Sequence, residues 1–384
     1  MNAFPDGLDV VYAVRASPQE IDARARDIAI EQTVEVTESL CSDPFVAERV
    51  VGRVVGIVES GPDLFDVRIS YAADVIGTEI PQLFSVIFGN ISLKKGIRVR
   101  SVSPSEGLAG RFAGPGFGIA GIRRLLGVAD RPLVMGALKP LGRTASELAA
   151  YAGAMAMGGM DMIKDDHGLT DQAFAPFEER VRACADAVGE ANSRTGQRTL
   201  YCPCVTGPAD RIVERARFAR DVGAGGLLIA PWATGPDFLR LIAREVGLPL
   251  IAHPALLGGY MAHPDHGIAP GALLGTMMRL AGADMVVFPG WGGRFPITRD
   301  DCAVIDRDLK APLHAIATAF PVPAGGLTLD RIPEVLDIFG RDVVFLVGSA
   351  LYEHSPDLAS NARHFIDLVD VSLQAASRPD RSDG

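Results

Sequence analysis

Several things are scarce in this chain, and each scarcity excludes something. It has five cysteines in 384 residues, an odd and scattered set: Cys41, Cys184, Cys202, Cys204 and Cys302. No disulfide framework is expected from them, and free thiols suit a reducing cytoplasm. Cys202-Pro203-Cys204 has half the look of a metal knuckle. It lacks a second Cys or His pair at finger spacing, which leaves buried strand thiols as the expectation. No stretch reaches the roughly 18 apolar residues of a membrane span. The first residues, Met1-Asn2-Ala3-Phe4-Pro5-Asp6, have neither the basic nor the apolar region of a signal peptide, so a cytoplasmic location is expected. Positive charge is in deficit: the formal net charge of −10 argues against nucleic acid or an anionic membrane as partner. An anionic substrate therefore needs a local basic pocket.

What is present divides into two regimes. Hydrophobic residues make up 48% and charged residues 22%, an ordinary balance for a globular enzyme of one or two domains. Up to about residue 115 strands and helices mix in α+β fashion. Residues 10–14 read as a strand. Ser17, with Glu20 three positions on, reads as a capping box opening a helix that runs to about Glu31. Residues 50–59 and 64–71 read as a paired hairpin, and 80–88 as a helix.

From about residue 130 the rhythm becomes strand, loop, helix, repeated. Strand candidates are 133–138, 160–164, 200–205, 226–231, 248–253, 285–288, 320–324 and 343–347. Helical stretches at 144–157, 174–195, 208–222, 236–245 and 270–281 separate many of them. Eight short apolar strands over about 250 residues is the pattern of a TIM (β/α)8 barrel. An open doubly wound sheet rarely needs eight strands, and no G-x-G-x-x-G follows the first of these. The expected organisation is a 1–115 N-terminal α+β domain and a 116–384 barrel domain with a C-terminal helical tail.

A barrel places its chemistry at the C-terminal ends of its strands. Those ends carry Lys139; Lys164 with Asp166 and His167; Cys204 and Thr206; Trp232; His253; Pro289-Gly290; Gly325-Gly326; and Gly348-Ser349. The densest is Gly159-Met160-Asp161-Met162-Ile163-Lys164-Asp165-Asp166-His167, an apolar strand ending in a lysine, two carboxylates and an imidazole. Unpaired charge of that kind is costly to bury, so solvent, ion pairing or a metal must resolve it. Glycines after the last two strands either turn the chain or offer N–H groups to a phosphate, and their position favours the phosphate.

These motifs, in this order and spacing, resemble the large subunit of RuBisCO and its RuBisCO-like relatives over nearly the whole chain. The G-x-D-F-x-K-x-D-E signature of that family is matched by residues 159–167. Its lysine-proline motif is matched by Lys139-Pro140-Leu141-Gly142. Glu31-Gln32-Thr33 and Phe88-Gly89-Asn90 match its N-terminal active-site helix and G-N motif. The resemblance implies a ferredoxin-like N-terminal domain before the barrel. It also implies a homodimer, or a multiple of dimers, in which Glu31 and Asn90 of one subunit complete the neighbour's site.

Departures narrow the reading. His167 stands where the family has its third metal ligand, a glutamate. Leu141 and a one-residue deletion replace the second lysine. Pro254 replaces a phosphate-gripping arginine, Leu257 and Phe288 replace histidines, and Pro203 an asparagine. Loop 6, Pro289-Gly290-Trp291-Gly292-Gly293-Arg294-Phe295, has Arg294 but no lysine. A carboxylase is thereby excluded, and a non-carboxylating RuBisCO-like protein expected.

The resemblance further implies that Lys164 takes up CO2 as a carbamate and, with Asp166 and His167, holds Mg²⁺ or another divalent metal. Hard oxygen ligands suit Mg²⁺ better than an imidazole does, so His167 either binds a different ion or moves protons. Simple ion pairing of Lys164 with Asp165 or Asp166 is the alternative. Lys139 would stabilise an enediolate or shuttle a proton, or else form a rim salt bridge. His253 would orient substrate hydroxyls or be a satisfied strand-end histidine. Arg294, Gly325, Gly326, Gly348 and Ser349 are the candidates for gripping the substrate's anionic groups. Trp232 either packs on the substrate or caps the barrel, with the cap expected; His263 and His266 resemble a metal pair, but a solvated loop is expected. Relatives of this type act on phosphorylated keto-sugars. The favoured reaction is decarboxylation or C–C cleavage of a 3-oxo-isoapionate 4-phosphate-type acid, which needs no strong base. The alternative is an isomerase or enolase of methylthioribulose 1-phosphate-type substrates; a non-catalytic binding protein is the least favoured.

Overall fold

The computed structural model describes residues 2–325 and 331–376. They form two compact units, described in turn. The first takes the residues up to Gly114 together with Leu256–Ala281 and Arg307–Ile316; the second takes Pro115–Ala255, Gly282–Asp306 and the residues from Ala317 on.

In the first unit, β1 (Gly7–Arg15), β2 (Arg53–Gly61), β3 (Leu64–Ala72), β4 (Ile97–Pro104) and β10 (Gly267–Ile268) form one sheet ordered β10-β4-β1-β3-β2. The pairs among the first four are antiparallel. Together with the helices Ile21–Glu31 and Ile80–Phe88 they give the β-α-β-β-α-β order of a ferredoxin-like unit. Alternation explains the central strand: Leu8, Val10, Tyr12 and Val14 are fully buried. β4 and β10 have no counterpart among the strands expected from sequence. The expected hairpin and the helix at 80–88 are present. Ser17 and Glu20 do bond to each other, but in a turn that precedes the helix, which starts at Ile21.

The second unit is a barrel. Its strands are β5 (Leu133–Leu138), β6 (Met162–Asp165), β7 (Leu200–Cys202), β8 (Leu227–Ile229), β9 (Leu250–Ala252), β11 (Met285–Pro289), β12 (Phe320–Ala324) and β13 (Val344–Val347). They are ordered β7-β6-β5-β13-β12-β11-β9-β8, with parallel pairing throughout. A parallel bridge between Cys204 and Leu228 brings the two ends of that sheet together. Each of the eight expected barrel strands is found; those expected at 200–205, 226–231 and 248–253 are three residues shorter. Met135, Ala137, Met162, Cys202, Cys204, Ile251, Val287, Val322 and Val344 fill the interior, so the two thiols are core side chains as expected. The helix Ala145–Met157 opens with a capping box between Thr144 and Glu147.

The helix Gly118–Leu126 was not anticipated. Its Ile119, Ile122 and Leu126 share one face and join the barrel's interior cluster. Asp284, just before β11, fixes where that helix begins. One carboxylate oxygen accepts the N–H groups of Phe117 and Gly118 at 2.7 and 2.8 Å, and the other accepts that of Leu250 at 2.9 Å. The contacts lie at the N-terminal ends of β9 and β11, so this end of the barrel is plugged and the opposite end is left for chemistry. Asp284→Ala strands two buried N–H donors and a part-buried one and is expected to cost roughly 3 kcal/mol, read as a lowered urea midpoint without a change in slope.

Candidate active site

Five of the expected site residues converge at the C-terminal ends of β5, β6 and β9. Lys164 lies within β6 and is buried, its Nζ donating to the main-chain oxygen of Asp165 at 2.9 Å. Burial lowers its pKa from the ordinary 10.5, and the Lys139 charge assists, against the opposing pull of Asp166. Asp166 is the hub. Its Oδ2 takes a short contact from the Lys139 ammonium, and its Oδ1 meets His167 Nδ1 at 2.9 Å. Burial pushes its carboxyl up, but the hydrogen bonds from His167 and Lys139 and the charge of Lys164 outweigh this and hold it well below 3.8. His167 stacks on His253 with ring centroids 4.1 Å apart and planes 11° from parallel. His253 Nδ1 accepts the N–H of Ala255 at 3.2 Å. Burial, with Lys164 and His167 adding to it, depresses the His253 pKa to about 2, so this imidazole is neutral.

Asp165 does not join them. Fully buried, it accepts from Arg180 Nε at 3.2 Å, the Tyr201 hydroxyl at 2.8 Å and the Cys204 N–H at 3.0 Å. Arg180, equally buried, also donates to the main-chain oxygens of Ala175 and Thr170. Arg215 reaches Asp171 and the Thr206 carbonyl. The loop after β6 is therefore anchored by buried guanidinium groups. Arg180 and Tyr201 were not read from sequence; a charged residue on the apolar face of the helix Phe177–Thr195, opposite a second carboxylate in a strand-end pair, was the available signal.

Asp166 and His167 are in contact, and Lys164 lies near enough to Asp166 for their charges to interact. Among the described residues no three His, Cys, Asp or Glu side chains group as a metal site. The donor set therefore fits a divalent cation only with Lys164 as its carbamate, which turns a cation into an oxygen ligand. Its lowered pKa favours the neutral amine that this requires.

The remaining expected residues lie elsewhere. Gly325 follows β12 at φ +76° with open space at its Cβ position; Gly326 lies outside the described residues. Gly348 precedes the short helix Ser349–Glu353 after β13. Arg294 is exposed, its guanidinium 5.1 Å from the Phe295 ring. Arg331 bonds the Trp291 carbonyl at 2.9 Å and so grips the base of loop 6. Trp232 is half-buried in the helix Pro231–Thr234.

In the first unit Glu31 accepts from Asn90 Nδ2 at 3.1 Å and from Lys94 Nζ at 2.8 Å, and Lys94 also reaches Asp27. The two expected residues are thus neighbours, and Lys94, not singled out from sequence, joins them. In the 262–266 loop Ala262, His263 and Pro264 are exposed, in keeping with the solvated loop expected, but hydrogen bonds also tie it down. His263 and Pro264 accept from Arg98 through their carbonyls, Asp265 pairs with Arg15, and His266 Nε2 meets the Ser92 carbonyl at 3.0 Å. The His263 and His266 rings lie edge-on with centroids 6.5 Å apart.

A model of the ribulose bisphosphate carboxylase large chain, catalytic domain, matches residues 118–365. The chain belongs to the RuBisCO large-chain family. It is 41% identical over 375 residues to the 5-methylthioribulose-1-phosphate isomerase of Rhodospirillum rubrum, covering 97% of this chain and 98% of that one. It is 34% identical over 371 residues to the 2,3-diketo-5-methylthiopentyl-1-phosphate enolase of Geobacillus thermodenitrificans, covering 92% and 90%. The crystal structure of a RuBisCO-like protein from Rhodopseudomonas palustris superposes with a TM-score of 0.86 at 37% identity, covering 97% of this chain and 99% of that one. This is a RuBisCO-like enzyme.

Two outcomes are expected. Arg180→Ala leaves Asp165 buried without its ion partner and should cost about 3–5 kcal/mol, while Tyr201→Phe should cost about 1–2 kcal/mol, both by urea unfolding. His253 is neutral when folded but binds a proton below 6.5 when unfolded. The unfolded state then holds more protons, so stability falls as pH drops through that value. His253→Gln should lose less stability than the parent between about pH 7 and about pH 5.

Proposed function

We propose that this RuBisCO-like enzyme moves a proton next to the carbonyl of a phosphorylated methylthio-keto-sugar, as an isomerase or enolase of the 5-methylthioribulose 1-phosphate type. The observation that carries the reading is the cluster at the ends of β5, β6 and β9, where Lys139, Asp166, His167 and His253 meet beside buried Lys164. The names of the isomerase and enolase relatives support it. They favour this reaction over the cleavage of a β-keto acid preferred from sequence, a preference that rested on too few bases surviving the family's substitutions. The geometry answers that objection. With Asp166 held as a carboxylate, it accepts the Nδ1 proton of His167 and leaves Nε2 as the basic nitrogen.

In this scheme His167 Nε2 takes the C–H proton and returns it to a neighbouring carbon. The Lys139 ammonium stabilises the negative charge on the enediolate oxygen or hands a proton to it. His253, neutral and stacked, keeps the His167 ring in plane. Lys164 as carbamate and Asp166 would hold a divalent ion such as Mg²⁺, which when bound polarises the substrate carbonyl. Gly325 and Gly326, with the turn at Gly348-Ser349, are assigned to the phosphate. Arg294 is assigned to the rim and meets the substrate's polar end. Glu31 and Asn90, held together with Lys94, complete the mouth of a second copy in a homodimer.

The test is turnover of 5-methylthioribulose 1-phosphate in deuterated buffer with bicarbonate and Mg²⁺, followed by NMR. Incorporation of deuterium without CO2 release is expected, and Lys164→Ala should abolish it. Release of CO2 from 3-oxo-isoapionate 4-phosphate, with the methylthio-sugar untouched, would sink the proposal in favour of decarboxylation. Peptide mass spectrometry should find CO2 on Lys164. Because the amine must be neutral, its carbamate fraction should rise with pH below 10.5.

A further inference from the structure

The pairing of β13 with β5 stops early, at Val347 opposite Gly136, although β5 runs on to Leu138. In a parallel ladder one residue of the neighbouring strand serves two groups, accepting from the N–H of residue i+1 and donating to the C=O of residue i−1. Had β13 continued, Ser349 would face Leu138 and occupy the Lys139 N–H and the Ala137 carbonyl. The chain instead turns at Gly348 into the helix Ser349–Glu353. A side chain fills the missing rung: the Tyr352 hydroxyl accepts from the Lys139 N–H at 3.1 Å and donates to the Ala137 carbonyl at 2.9 Å.

The helix that carries this hydroxyl is itself held. Buried Asn361, from the helix Leu358–Ala376, donates to the carbonyls of Leu351 and Ser355 at 2.9 and 2.7 Å. Tyr151 meets the Tyr352 ring edge-on at 5.7 Å. Neither contact touches the hydroxyl, so the phenol is pinned in place with its one polar atom directed at β5.

We infer that Tyr352 is a positioning residue whose hydroxyl stands in for the next peptide of β13, fixing the Lys139 backbone while releasing the Gly348-Ser349 turn from the sheet. One group thereby sets the spacing between the turn assigned to the substrate phosphate and the lysine assigned to its reacting oxygen. The inference rests on the role proposed above for Lys139, although the hydrogen bonds stand without it. Tyr352 acts through Lys139 and touches no substrate.

The experiment is a double-mutant cycle with Tyr352→Phe and Lys139→Ala in the full-length protein, assayed on 5-methylthioribulose 1-phosphate. Tyr352→Phe keeps the ring and its packing, and thermal unfolding checks that the variant folds. The expected result is a fall in kcat of about 10- to 100-fold with KM changed less than about threefold, and no further loss when the change is made in Lys139→Ala. A kcat within about twofold of the parent, or an equal loss in both backgrounds, would overturn the inference. A second measurement needs no turnover: the rate at which an amine-reactive reagent labels Lys139, read by peptide mass spectrometry. It should change at least about threefold in Tyr352→Phe, while labelling of Lys94 and Lys95 stays level. If the parent does not turn over this substrate the functional proposal fails, and the labelling decides the inference alone, an unchanged rate refuting it.

Discussion

Asp165 is buried with Arg180, also buried, against it, and the Tyr201 hydroxyl and Cys204 N–H complete its coordination. A charge pair this deep contributes little net stability, because desolvation offsets most of the attraction. Its effect is geometric. β6 must end at one residue and leave the sheet in one direction, since any shift would strand a buried charge. Lys164 on one side and Asp166 and His167 on the other inherit that precision. Two acidic residues adjacent in sequence thus take different partners: one anchors the strand end and its neighbour meets Lys139 and His167.

Above that anchor, the site is a balance of charge and neutrality. Lys164 is pressed toward its neutral form by burial, Asp166 is kept ionised by its donors, and His253 is kept neutral by burial. Groups of like chemistry with pKa values pushed apart are the usual condition for dividing proton-transfer work within one site. The barrel supplies this by depth: Lys164 and Asp166 are buried, Lys139 and His253 are part-buried, and His167 is exposed. At the other end, Asp284 and the helix Gly118–Leu126 close the barrel, so only one mouth is left for substrate.

Much of this was legible beforehand. All eight barrel strands could be read because each is a short apolar run bounded by glycine, proline or a helix. Lys139, Lys164, Asp166, His167 and His253 could be placed because the barrel assigns chemistry to strand ends. Strand β4 was missed because Ile97–Pro104 alternates with arginines and serines and does not form an apolar run. The plugging helix Gly118–Leu126 was missed because two glycines weaken its signal. Arg180, Tyr201 and Tyr352 were not legible as site residues, since each acts on a partner at least 15 positions away that only folding brings near.

The period of the apolar residues and the identity of the side chains at strand ends are local properties. The sequence by itself therefore determined the architecture, which side chains stand at the strand ends, and the departure from the carboxylase residue set. Pairing is not local. Whether Asp165 or Asp166 faced the mouth, whether His167 had a carboxylate on Nδ1, and which groups tie down the 262–266 loop were decided by tertiary structure. Each depends on which donor arrives from a distant element to balance a charge or fill a rung.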